Sequence, residues 1–387
     1  MRIDQSVRPR RGMFAIRAVA WRGMQFAALV APLACATVGT QTSAETPTPE
    51  TEGAGPPPTA GWAVRTRQHV DLWLHGYALL QRDTARVPFF RRGYRDRMLA
   101  ERRRLGITTA LDLNADRLTA RLAANPGLVN GQFVPLYFQS FEDLRRAVDL
   151  FVRVEGEPRA AGSQEGAYYV ALLAASFPAV ADREWLRVFV QSLTEENDRF
   201  YRQHWTAAQR ARAPALAAFE ALWRDTYGRR FERFLANTQQ TRGEILPSLP
   251  LDGEGRTIAA AAGRSGLIAV QFPDDDASAV EALYVFAHEA VIPVINTAIA
   301  DNVTPAEQRS GVADRYASHG AVRGGALLLE RIAPELAHGY MRYYLRAAGV
   351  AAVATGDPRA AFAAAFPLPE LIVSAATRQL EVVLGGI

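Results

Sequence analysis

Apolar positions recur at helical spacing through most of this chain, and one central stretch breaks the rhythm. Leu72, Trp73, Gly76, Leu79 and Leu80 form a stripe at a 3.6-residue period. Ser140, with Asp143 three residues on, has the form of an N-cap before a helix carrying Leu144, Val148 and Phe151. One polar–apolar pattern runs from Arg183 to the region of Pro214, and another from Ala215 to Leu235. Between Glu244 and Phe272 the texture changes to short apolar runs broken by "LDGEG" and "GRSG", which predicts two or three strands joined by tight turns. Pro247 and Pro250 predict that the first of these is an edge strand or partly irregular. "PDDDAS" then supplies a helix start, with acids near the positive end of the dipole. The helix that follows carries Val280, Leu283, Tyr284, Ala287, Val291, Val294, Ile295 and Ala298 on one stripe. Two more helices are expected over about 312–332 and 334–348, and a last one after Pro369. Helices, a small sheet and helices again make an α+β fold, mostly helical, with an N-terminal helical lobe over 61–240 and a lobe of short strands and C-terminal helices over 241–387.

The first 60 residues stand apart from this pattern. Residues 1–22 hold six arginines and one acid, and an apolar run from Met24 to Gly39 follows. That order reads as an export signal over 1–44, and the run is shorter than the ~20 apolar residues of a membrane span. Arg10-Arg11 is a faint sign of twin-arginine export, and the single cysteine, Cys35 in "APLAC", of lipid attachment. Residues 45–60, rich in Pro, Gly and Thr, read as a disordered linker. The net charge of +4 belongs to the signal, because the rest of the chain carries 38 basic and 39 acidic residues. A nucleic-acid partner therefore has no support, and the expected location is periplasmic or extracellular. All 44 basic residues are Arg. With no cysteine after the signal, any metal must be held by His and carboxylate.

The stretch "YVFAHEAVIPVIN" contains the chemistry that stands out. His288-Glu289 opens the zinc signature H-E-x-x-H, in which two histidines one turn apart reach one metal and the glutamate takes a proton from its bound water. Ile292 stands where the second histidine belongs. Pro293 removes the amide that would bond to the Glu289 carbonyl and should kink the helix. With the strand "GLIAVQF" ahead of the helix, and with His288, Glu289, Pro293 and Asn296 in place, the stretch resembles the secreted zincin-like metallopeptidases that carry H-E-x-x-H-P-x-x-N. The resemblance covers about residues 266–345 and departs from the family at a metal ligand, Ile292. It implies a zincin-like core, a Zn²⁺ cofactor, a peptide or protein substrate, and a further ligand from a later helix.

His319 lies on such a helix, and Arg323 and Glu330 share its face at +4 and +11. Gly320 and Gly324 beside it predict the close approach of another helix. The expected site is His288 and His319 facing each other across two packed helices, with Glu330 or Glu281 as the carboxylate, Glu289 as general base, and Tyr340 or Arg323 stabilising the oxyanion. Two functions follow: a divergent Zn-dependent peptide hydrolase, or a non-catalytic cell-envelope binding or structural protein in which Ile292 marks a lost site.

Three other features have simpler readings. Asp71 and His75, four apart, read as a helix-flank hydrogen bond or a proton relay. Asp274 to Asp276 lack the spacing of a calcium loop. The run Arg91–Arg104 reads as a solvated basic face. No nucleophile elbow, P-loop or dinucleotide fingerprint is present.

Overall fold

The computed structural model describes residues 61–81, 85–259, 265–350 and 356–385. The expected signal, linker and Cys35 lie outside the described residues. The chain is mostly helical, with one small mixed sheet, so the α+β expectation holds at this level. Strand β1 (Trp62–Val64) precedes helices α1 (Gln68–Leu80), α2 (Tyr94–Arg104), α3 (Ala110–Ala124), α4 (Phe141–Arg153), α5 (Gln164–Ser176) and α6 (Val180–Glu196). Then come α7 (Arg202–Ala211), α8 (Ala213–Ala221), α9 (Gly228–Asn237), β2 (Gly243–Ser248), β3 (Arg256–Ile258) and β4 (Gly266–Gln271). The chain closes with α10 (Ala279–Ala290), α11 (Ile292–Ala300), α12 (Pro305–Arg309), α13 (Val312–Ile332), α14 (Pro334–Ala347), α15 (Arg359–Ala365) and α16 (Glu370–Val383). Ser140 caps α4 as expected, its hydroxyl accepting from the Asp143 amide at 3.1 Å.

The sheet order is β1-β2-β4-β3, with β1, β2 and β4 parallel and β3 antiparallel at the edge. Successive side chains of a strand point to opposite faces, and here each face has its own core. Leu246, Leu267 and Ala269 join a cluster with Trp73, Tyr77, Trp185 and Phe189 from α1 and α6. Ile245, Ile268 and Val270 join a second cluster with Trp62, Phe286 and Tyr340. A sheet covered by helices on both faces must be apolar on both, which is why "GLIAVQ" reads as a continuous apolar run. Phe219 and Phe231, from α8 and α9, pack in the second cluster with the C-terminal helices.

Pro247 lies in a central strand, not an edge strand, for a geometric reason. The Gly243 amide donates to Gly61 and the Ile245 carbonyl accepts from Arg65, so alternate residues of β2 face β1. Pro247 is next in that alternation, but the ladder with β1 ends at Val64 opposite Ile245. Its missing N–H therefore faces a side where no strand runs. Gly243 is required where it sits, because a Cβ there would come within 2.5–2.7 Å of the Trp62 ring.

The expected kink at Pro293 is a break between α10 and α11 at Val291. Together they make a 22-residue segment, Ala279–Ala300, with a mean hydropathy of 1.5. Among the described residues it alone has the length and apolarity to cross a membrane by itself, and 83% of its 18-residue apolar window is buried inside the protein. A core helix passes the same test.

Candidate functional site

His288 and Glu289 sit near the end of α10, where the helix runs beside the edge strand β3, and both are buried. His288 Nδ1 lies 3.2 Å from Glu289 Oε1. The same oxygen accepts the Gly255 amide at 3.1 Å, while Oε2 accepts the Thr257 hydroxyl at 2.6 Å. Both carboxylate oxygens are thus committed to the β2–β3 loop and to β3, and Glu289 is 2% exposed. Gly255 allows this approach: a Cβ there would meet Glu289 Cγ at 2.7 Å and the Ala269 carbonyl at 2.4 Å. The His288 ring stacks on Tyr344 with centroids 5.5 Å apart, and the Tyr344 hydroxyl donates to the Gly253 carbonyl at 2.9 Å. A buried carboxylate held by two donors is a structural clamp on the loop Asp252–Gly255.

The other expected site residues have partners elsewhere. His319 Nδ1 lies 3.0 Å from the Pro367 carbonyl, and its ring meets Phe366 edge-on. Burial lowers the His319 imidazole below its ordinary range, and lowers the Arg323 guanidinium in the same way. Arg323 reaches towards the Phe366 carbonyl at 3.5 Å. Glu330 accepts from Arg359 at 3.2 Å, and Glu281 pairs with Arg346 and Gln271. Tyr340 is fully buried, donates to the Val322 carbonyl at 2.9 Å and packs on Tyr344, so it reaches His288 only through that ring. Burial pushes its hydroxyl well above the ordinary phenol range.

The structure brings together His288 and Glu289, but not His319 or Glu330 with them. Among the described residues, no three His, Cys, Asp or Glu side chains form a group that could hold a metal ion. The side chains around His288 do not fit zinc: Ile292 holds the place of an imidazole, and each Glu289 oxygen already accepts a protein donor. The helix expected to approach Gly320 and Gly324 is α11. Added Cβ atoms there would meet Ile295 at 2.6 and 2.5 Å.

Asp71 and His75 do not bond to each other. Asp71 accepts from the Ser248 hydroxyl at the end of β2 and from Trp205 Nε1. Burial pushes its carboxyl up to about 7. His75 lies 3.0 Å from Tyr94 and 3.0 Å from Glu196, which also accepts from Arg102 at 2.6 Å. Arg102, expected on a solvated face, is 3% exposed and ties α2 to α3 and α6 through Glu196 and Asp112. This network joins four helices inside the first core, with His75, Glu196 and Arg102 all buried.

The same arginine run conceals a feature that sequence reading missed. Arg91, Arg92 and Arg97 line a cleft of about 310 Å³ with Asp252, Gln271, Asp274, Glu281, Tyr343 and Arg346. It lies outside the carboxyl ends of β2 and β4, the general location of ligand sites in sheets with parallel strands. The only sequence signal was the density of arginine ahead of α2. Asp274 pairs with Arg91 and Arg212, and the neighbouring Asp275 accepts the amide of Ser278, the residue just before α10, so the Asp triplet leads into a helix start. Compared with known proteins, the chain matches no family model, no curated protein and no solved structure.

Proposed function

We propose that this chain is an exported, non-catalytic binding protein of the cell envelope, built on a zincin-like core whose His-Glu helix serves as a scaffold. The observation behind this reading is the engagement of Glu289. A general base must reach a water or a substrate proton, whereas this carboxylate already accepts from the Gly255 amide and the Thr257 hydroxyl inside the protein. His288 completes the arrangement by holding Glu289 on one side and stacking on Tyr344 on the other. The pair fixes the loop that carries Asp252 into the cleft, which links the former catalytic motif to a binding surface. A zincin-like ancestry is supported by the strand β4 directly ahead of the His-Glu helix and by Pro293 and Asn296, although β4 lies inside the sheet between β2 and β3. The basic and apolar N-terminus supports export.

Elemental analysis of the purified full chain tests this reading, with zinc supplied during expression. The expected result is zinc far below stoichiometry, with His288→Ala and Glu289→Ala leaving metal content unchanged. Glu289→Ala should instead lower stability by about 2–4 kcal/mol, because it strands two donors against a buried histidine. About one zinc per chain, lost in His288→Ala, overturns the proposal.

A further inference from the structure

We infer that the arginine-lined cleft at the carboxyl ends of β2 and β4 binds a small multivalent oxyanion, carried by a phosphorylated or polycarboxylate molecule. This names a ligand class for the proposed binding role, but it stands on a different set of side chains. Four arginines line the cleft, and a fifth, Arg212, reaches it through Asp274. Three acids face them. Asp274 is shared by Arg91 at 2.6 Å and Arg212 at 2.9 Å, and Glu281 is taken by Arg346. Arg92 and Arg97 make their hydrogen bonds to backbone carbonyls, of Ala347 at 2.7 Å and of Arg92 itself at 3.0 Å. Among the described residues neither has a carboxylate within ion-pair distance. Arg91 Nε and Arg212 Nη1 are buried donors with no protein hydrogen-bond partner.

Such crowding of cations has a cost that an anion would remove. Burial lowers the Arg212 guanidinium, and the neighbouring Arg91 and Arg97 add to the effect, with Asp274 acting against them. Asp252, which also lines the cleft, is raised by its burial, with Arg91 and Arg92 acting against the shift. Guanidinium groups bind phosphate and carboxylate through paired N–H donors, which suits a ligand with several oxygens. The wall is made rigid by buried groups. Tyr343 donates to Gln271 at 2.9 Å, and Gln271 donates to Glu281 at 3.1 Å. A volume of about 310 Å³ is enough to accommodate a small metabolite.

The test is calorimetric titration of the full chain with inorganic pyrophosphate and, separately, citrate, at low and at physiological salt. Saturable binding of one of them is expected, with a Kd below ~1 mM. The ligand that binds more tightly identifies the phosphorylated or the polycarboxylate class. The double variant Arg92→Gln/Arg97→Gln should weaken it at least about tenfold. Both side chains are exposed, so folding should be retained, as circular dichroism can verify. Arg187→Gln, whose side chain pairs with Glu184 and does not line the cleft, should leave the affinity unchanged. No saturable heat with either anion overturns the inference. So does equal affinity in the double variant, because that shows a general attraction to basic surface. Zinc found at His288 would overturn the scaffold reading while leaving this result standing, since the two sites share no side chain.

Discussion

At the scale of single residues, burial sets the protonation of two neighbours on α1 in opposite senses. Burial pushes Asp71 from an ordinary 3.8 up to about 7, with Ser248 and Trp205 bonded to it and Arg91 pulling the other way. His69 is lowered by burial from 6.5 to about 4, and its Nε2 lies 3.0 Å from the Phe138 carbonyl. Between pH 4 and 7 the unfolded chain has lost the Asp71 proton that the folded chain keeps, so this group makes stability fall as pH rises, by up to about 4 kcal/mol. Below pH 6.5 the unfolded chain protonates His69 while the folded chain does not, so that group makes stability fall as pH drops, by up to about 3 kcal/mol. The two slopes oppose each other across one window. Asp71→Asn should remove the first and leave stability that climbs with pH from 4 to 7. Urea midpoints of wild type and variant across that range check it, and parallel profiles would show that Asp71 is ionised in the fold. The i,i+4 spacing of Asp71 and His75 was legible in the sequence, but their partners were not. Ser248, Trp205 and Glu196 lie more than a hundred residues away and carry no local pattern that points back to α1.

At the scale of elements, helix identity was legible wherever a period was long, and pairing was not. The stripe from Leu72 to Leu80, the Ser140 cap and the helix over 312–332 all correspond to observed elements, because caps and periods are local properties. The glycines of α13 announced a close helix but not which one. Pro293 redirects the chain after Val291, so α11 and its Ile295 fill the notch in front of Gly320 and Gly324. His319 is left on the opposite edge of α13 against Pro367. Gly324→Ala should therefore destabilise, although alanine favours the helix by about 1 kcal/mol. Its Cβ would stand 2.5 Å from Ile295 Cδ1 and 3.2 Å from Val291 Cγ1, and overpacking of this kind costs about 1–3 kcal/mol. Adding Ile295→Val should recover part of the loss. A double-mutant cycle by thermal denaturation measures this, and strictly additive effects would show that the two residues are not in contact.

At the scale of the whole molecule, the sheet is a wall shared by two cores, and the candidate cleft opens at its end. Helices α1 to α6 of the long excursion from β1 to β2 build most of the first core, α8 and α9 pack in the second, and β2 returns beside β1 with Trp62 opposite Gly243. No sequence pattern marks that pairing, since three residues ahead of α1 are too short a strand to show an alternation. Because β2 and β4 place alternate residues in the two cores, neither core can lose its side of the sheet without exposing the other. Unfolding should therefore be a single cooperative transition in spite of the two clusters. Ile268, fully buried on the face of the second core, offers the sharpest check. Ile268→Ala should cost about 2–5 kcal/mol and move the whole calorimetric peak, including the part contributed by the first core. A variant that splits the peak in two, with one half still melting at the wild-type temperature, would mean that the helices of α1 to α6 hold together without the sheet. The cleft would then rest between separable bodies, and its arginines would keep their spacing only while both are folded.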